Sequence, residues 1–146
     1  MILNPDFKEF VKLLTKNNAE YLIVGGYAVG IHGYPRYTGD LDIWINNTNE
    51  NAQRVLKCVK DFGFSAYNLT VSDFTKKGNI IQLGYPPVRI DIINQVDGVN
   101  FSECFKNKKE VAVEDLTLNF IGYEDLLKNK RETARPRDID DIENLS

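Results

Sequence analysis

The sequence predicts an α/β (α+β) domain built around a mixed β-sheet, and three observations carry that reading. Apolar residues recur at helical spacing over residues 5–16 and 49–62, which marks amphipathic helices. They alternate with a period of two over residues 40–45, and residues 88–93 form a second run of strand formers. The segments follow one another as helix, strand, short helix, strand, helix, several strands and two helices. That order packs helices against a mixed sheet.

Asn4-Pro5 offers an N-cap followed by proline at the first helical position. Phe7, Phe10, Val11 and Leu14 then make the apolar stripe of a first helix. Tyr21 to Val24 reads as a short buried strand. It stops at Gly25-Gly26, after which Tyr27 to Ile31 reads as a short helix before the turn at Gly33-Tyr34-Pro35. Asp40 to Ile45 is a strand with Leu41, Ile43 and Ile45 on one face and Asp40, Asp42 and Trp44 on the other. Asn49 to Phe62 is the clearest helix, with Ala52, Val55, Leu56, Val59 and Phe62 in one stripe and Gly63 at its end. The stretch from Phe64 to Asn94 reads as β-rich, with strands over Asn79 to Leu83 and Val88 to Ile93 joined through Gly84-Tyr85-Pro86-Pro87. Val111 to Val113 and Leu116 to Ile121 add two short strands. Helices return over Tyr123 to Thr133 and over Arg137 to Leu145, the last with Ile139, Ile142 and Leu145 on its inner side.

At 146 residues, 42% hydrophobic and 27% charged, the chain has the balance of one ordinary globular domain over residues 1–146. It has no apolar run long enough to span a bilayer, and its first residues lack the layout of a signal peptide, so the expected location is the cytoplasm. Cys58 and Cys104 have no neighbour at metal spacing and read as reduced structural thiols. With His32 the only histidine, a zinc site or a Ser-His-Asp triad is poorly supplied; the residue reads as hydrogen-bonded support for the glycine segment. The net charge of −3 argues against a surface that coats nucleic acid, although Lys128 to Arg137 is locally basic.

The chemistry is concentrated in three aspartates. Asp40 and Asp42 project from one face of their strand, and Asp91, in the run "VRIDII", is set against Val88, Ile90 and Ile92 on the opposite face. If the two strands are neighbours, three carboxylates converge and repel one another unless a cation neutralises them. Magnesium, which takes oxygen ligands and binds through carboxylates and substrate phosphates, suits such a cluster. Asp40 and Asp42 would share a pair of ions roughly 4 Å apart, with Asp91 completing the site. Gly25-Gly26 opens a helix whose backbone N–H groups can accept phosphate oxygens. The segment is not a Walker A loop, because Ile31-His32 stands where Lys and Ser/Thr are needed. The bland reading of Asp91 is an ion pair with Arg89 or a neighbouring lysine.

Together, Gly25-Gly26, Asp40-Leu41-Asp42 and Asp91 resemble the signature of the nucleotidyltransferase superfamily typified by DNA polymerase beta. The run "GGYAVGIHGYPRYTGDLDIWI" is similar to small nucleotidyltransferases related to abortive-infection toxins, with Arg36 and Thr38 in the places of that subgroup's Arg-x-Thr. "LLKNKRETARPRDIDDIENL" resembles its last motif, carried here by Lys130, Arg135, Arg137 and Asp138. The resemblance implies the nucleotidyltransferase fold, with short C-terminal helices. It implies that Asp40, Asp42 and Asp91 are catalytic and bind two Mg²⁺ ions, or Mn²⁺, with Asp91 helping to deprotonate the acceptor. It implies further that Gly25, Gly26, Arg36, Thr38 and Lys130 bind a nucleoside triphosphate donor such as ATP, with Lys130, joined by Arg135 or Arg137, facing either the triphosphate or the acceptor. Trp44, Tyr27 and Tyr34 are pocket-lining candidates.

The expected reaction moves a nucleoside monophosphate to an acceptor, which is an RNA, a protein or a small molecule. The C-terminal match adds a toxin–antitoxin role with a partner protein; no membrane is implicated. Two competing readings are a non-catalytic nucleotide-binding or interaction module and a metal-dependent phosphohydrolase. Gly26 departs from the serine that many members carry, and the helical domain of larger members has no counterpart here beyond the two helices from Tyr123 onward.

Overall fold

The computed structural model describes residues 3–35, 38–64, 68–85 and 87–145. The first helix, α1 (Pro5–Lys16), begins where Asn4 accepts the Asp6 N–H at 2.8 Å and buries Phe7, Phe10, Val11 and Leu14. Strand β1 (Tyr21–Val24) is buried at every position, as a central strand covered on both faces must be. Helix α2 (Gly25–Ile31) follows without a connecting residue, so the two glycines form its first turn and do not precede it.

After β2 (Asp40–Ile45), helix α3 (Asn49–Val59) is capped by the Thr48 hydroxyl and continues as a wider turn over Lys60–Phe64. That turn holds Gly63 at φ 109°, a conformation that favours glycine and ends the helix. The stretch expected to be β-rich holds a short helix, α4 (Val71–Thr75), nucleated by reciprocal hydrogen bonds between Thr70 and Asp73. Strands β3 (Ile80–Tyr85) and β4 (Val88–Ile93) pair as a tight hairpin closing at Tyr85 and Val88; Pro86 of that turn lies outside the described residues. A second helix absent from the sequence reading, α5 (Phe101–Lys106), starts at an Asn100 cap. Strands β5 (Lys109–Val113) and β6 (Leu116–Phe120) precede α6 (Tyr123–Thr133) and α7 (Pro136–Leu145). No helix among the described residues is long and apolar enough to cross a membrane.

The six strands form one mixed sheet in the order β3-β4-β2-β1-β6-β5. Leu41, Ile43 and Ile45 are buried on one face of β2, while Trp44 on the opposite face meets Phe101 of α5 edge-on, ring centroids 5.2 Å apart. Tyr27 packs edge-on against Phe7, which places it against the α1 side of the core. His32 ends α2 and donates through Nε2 to the Ile121 carbonyl at 2.7 Å, tying that helix to the sheet's other half. Cys58 and Cys104 are free and buried, and burial first of all pushes their thiols up to about 11 and about 12.

Helix α7 corrects the expected inner face. Ile139 is 48% exposed, and the positions turned inward are Asp138, Asp141 and Leu145, with Ile142 half-buried. Spacings of three and seven residues keep these on one side of a helix. The fully buried aspartates are tolerated there because α6 supplies the buried cation Lys130.

Candidate active site

The centre of the sheet brings the predicted carboxylates together. Strands β2 and β4 run parallel with Asp42 in register with Asp91, and Val24 at the end of β1 is in register with Asp42 from the other side. Neighbouring strands lie about 4.8 Å apart, and residues in register share a face, so the Asp42 and Asp91 side chains stand next to each other. Asp40 is in register with Arg89. The Arg89 guanidinium grips Asp91 with two hydrogen bonds, Nε to Oδ1 at 2.7 Å and Nη2 to Oδ2 at 3.0 Å, and reaches Asp40 Oδ2 at 3.1 Å. The ion pair with Asp91 and the convergence with Asp40 and Asp42 thus coexist.

The consequence falls on Asp42. Burial raises its carboxyl to about 6, and the charges of Asp91 and then Asp40 push the same way, with Arg89 and Lys130 opposing. The shift thus reflects desolvation first and repulsion from the neighbouring carboxylates second.

Gly25 explains its position through this carboxylate. It has φ +70°, and a Cβ there would collide with Asp42 Oδ2. A Cβ on Gly26 would stand 2.7 Å from Thr38 Oγ1, and that hydroxyl in turn donates to the Asp40 carbonyl at 3.3 Å. Val24, at the N-cap of α2, makes no side-chain capping bond, so the first N–H groups of that helix are not claimed by a cap. Arg36 lies outside the described residues.

Opposite the sheet, α6 and α7 bring basic groups to the same place. The Lys130 ammonium is buried between Asp138 Oδ1 and Asp141 Oδ2, 3.1 Å from each. Asp138 also receives the Thr133 hydroxyl at 2.7 Å and Arg135 Nε at 2.7 Å. Burial alone would raise the Asp138 carboxyl; the hydrogen bonds from Arg135, Thr133 and Lys130 prevail and hold it well below the usual range. Arg137 is exposed.

A cleft of about 330 Å³ is lined by Gly25, Asp42, Asp91, Lys130 and Arg135, together with Gln82 and Asn129. Gly26, Thr38 and Asp40 form a cluster alongside it. Gln82 and Asn129 carry no sequence signal of their own, since only the register of β3 with Asp91 and the packing of α6 bring them in. Arg89 was readable as a partner of Asp91, but its bond to Asp40 follows from the β2–β4 register.

Among the described residues no group of three or more His, Cys, Asp or Glu side chains is arranged to hold a metal ion. The donor chemistry nevertheless suits a hard divalent cation. Asp40 and Asp91 meet on Arg89 and Asp42 stands in register with Asp91, so the oxygen ligands that such an ion takes are gathered on one face.

A family described as "Nucleotidyl transferase of unknown function (DUF2204)" matches residues 4–146. Among solved structures, a candidate nucleotidyltransferase from Thermotoga maritima superposes with a TM-score of 0.64 at 14% identity, covering 97% of this chain and 93% of that one. The lincosamide antibiotic adenylyltransferase LnuA, with lincomycin bound, superposes with a TM-score of 0.57 at 17% identity, covering 99% of this chain and 96% of that one. At these identities the two structures establish a shared fold. No curated protein matches the sequence.

Proposed function

The chain belongs to this family of nucleotidyl transferases, and from that premise we propose that it moves a nucleoside monophosphate from an NTP to an acceptor hydroxyl, releasing pyrophosphate. The observation that supports this reading best is the in-register pair Asp42 and Asp91, with Gly25 closed onto the Asp42 carboxylate. The two carboxylates define where the reacting phosphorus sits. The missing Cβ at Gly25 lets a phosphate chain approach the backbone beside them.

In this proposal the N–H groups of Gly25 and Gly26, with Thr38 and Arg36 nearby, orient the donor's phosphates, ATP being one candidate donor. Lys130, fixed by Asp138 and Asp141, offers the cleft a positive charge that does not move during the reaction. Asp91 takes the proton of the attacking hydroxyl. Asp40, Asp42 and Asp91 would hold two Mg²⁺ or Mn²⁺ ions, which supply charge neutralisation on the transferring phosphate. Until a cation binds, Arg89 holds Asp40 and Asp91 against their mutual repulsion. Positioning and electrostatics of this kind supply most of the rate in phosphoryl transfer.

The reading extends to a single catalytic domain over residues 1–146 working in the cytoplasm, with RNA, a protein or a small molecule as acceptor. A toxin–antitoxin role with a partner protein is its outermost extension. The adenylyltransferase LnuA, which carries lincomycin, lends weight to a small molecule. One observation favours a second reading, a nucleotide-binding or interaction module without catalysis: Arg89 already satisfies two of the three carboxylates.

Calorimetric titration of the four NTPs, with and without Mg²⁺, into wild type and Asp42→Asn separates the two when combined with α-labelled NTP transfer. Mg²⁺-dependent binding and label transfer that both vanish in Asp42→Asn are expected. Binding that is indifferent to Mg²⁺ and to Asp42, with no transfer, would establish the module instead.

A further inference from the structure

A second cavity, of about 420 Å³, opens where β2 and β4 end, and its lining includes Trp44, Asn47, Lys77, Gln95, Asn100 and Ser102. It adjoins the catalytic cleft, because Gln95, Val96 and Asp97 line both. Its volume falls in the range of small-molecule sites. Trp44 is only 2% exposed, yet its indole Nε1 has no hydrogen-bond partner among the described residues. Buried donors in folded proteins are nearly always paired, and the cost of leaving one unpaired is of the order of 1–3 kcal/mol. Trp44 lines the cavity, but its N–H is itself sealed from it, so it is the rest of the lining that meets a ligand.

The strand register fixes which substrate that ligand belongs to. On β2, Trp44 shares the face of Asp40 and Asp42 and lies one pleat, about 7 Å, beyond Asp42. Strand β1 runs antiparallel, so Leu22 stands beside Trp44 and Val24 beside Asp42, and Gly25 with α2 lies toward the Asp40 end. The carboxylates therefore separate the glycine turn from the cavity. In a displacement at phosphorus the nucleophile enters opposite the leaving group. With the leaving pyrophosphate on the α2 side, the nucleophile enters from the cavity side.

We propose that this cavity is the acceptor subsite, and that the acceptor is a small uncharged molecule bearing hydroxyl groups; the proposal rests on the nucleotidyl-transfer reading above. The lining argues for that chemistry. Amides and a hydroxyl suit sugar-like groups, while Lys77 and Asp97 balance each other and leave no net charge to select an ionic ligand. In the transfer, the acceptor oxygen forms a bond to the α-phosphorus as the bond to the β-phosphate bridging oxygen breaks. Pyrophosphate leaves, and the hydroxyl proton passes to Asp91.

Trp44 is the one tryptophan in the chain, so its emission reports on this cavity directly. The probes are uncharged methyl glycosides and cyclitols in one arm and the four nucleosides in the other. Saturable emission shifts with glycosides or cyclitols are expected in wild type, together with their labelling from α-labelled NTP. Asn47→Ala removes an amide from the lining, and Ser102→Tyr, at an exposed position, fills the cavity without touching the core. Each should raise the acceptor KM about tenfold or more while leaving the NTP Kd unchanged.

Emission shifts with nucleosides alone would give the cavity to the donor's base and overturn the proposal. So would no shift with either set, or an NTP Kd that moves with the acceptor KM. If no NTP binds, the transfer reading fails by itself, and the emission titration still decides what the cavity holds.

Discussion

At the residue scale, the site is held at a cost to the fold. The Asp42 carboxyl is raised to about 6, first by burial, so its ionised form is less stable in the folded chain than in the unfolded one. Below the unfolded value near 3.8 both states are neutral and nothing is lost. As pH rises from there to about 6 the penalty grows, to at most about 3 kcal/mol at 1.36 kcal/mol per pKa unit. Asp42→Asn should therefore raise the melting temperature of the metal-free protein at pH 8 by several degrees and much less at pH 4. An equal shift at both values would show that the carboxylate is not destabilising. Gly25→Ala should lower stability by roughly 1–3 kcal/mol, because alanine is strained at φ +70° and its Cβ displaces Asp42. Gly26→Ala escapes the φ penalty and should cost less, its cost coming from a shift of the Thr38 segment, because its Cβ would stand 2.9 Å from Thr38 Cβ, which side-chain rotation does not move. Urea midpoints of the two variants test that order.

At the element scale, α6 and α7 are joined by a buried ionic cluster in place of an apolar seam. Removing one member of such a cluster strands the others, typically at 3–5 kcal/mol. Asp138→Asn should destabilise by about that much at pH 7. Asp138 has its folded pKa lowered, so its contribution is present above the unfolded value near 3.8 and fades as pH falls below it. The gap between wild type and Asp138→Asn in urea should thus hold from pH 7 to about pH 4 and narrow only below that. A gap independent of pH would assign the loss to packing. The expected inner face of α7 failed at Ile139 for the same reason: period counting ranks isoleucine above aspartate for burial, and nothing in the helix itself announces Lys130 of the neighbouring helix.

At the scale of the whole molecule, the sheet supplies a counterion to the site from its own strands. Arg89 neutralises part of the carboxylate cluster from within β4, and the core lies around the sheet and α1 and α3. Stripping divalent cations with EDTA should abolish transfer while moving the melting temperature by no more than a few degrees. Loss of the folded baseline on EDTA treatment would mean that the ion is structural. The missed helices α4 and α5 belong to this scale too. Each is too short to show a period, and each rests on a single cap, Thr70 with Asp73 or Asn100 with Glu103.

The sequence by itself determined the alternation of helices and strands, the shared face of Asp40, Asp42 and Trp44, and the break at Gly25-Gly26, because these depend on spacings within one segment. It even supplied Asp91 as a candidate, on the condition that two strands be neighbours. Only the tertiary structure decided that condition, through the order β4-β2-β1 and the register of Asp42 with Asp91. It also decided that Arg89 spans two aspartates, that Lys130 is buried between two more, and that Trp44 keeps an unpaired N–H beside a cavity. Those facts depend on which segments meet, and periodicity within a segment carries no information about its neighbours.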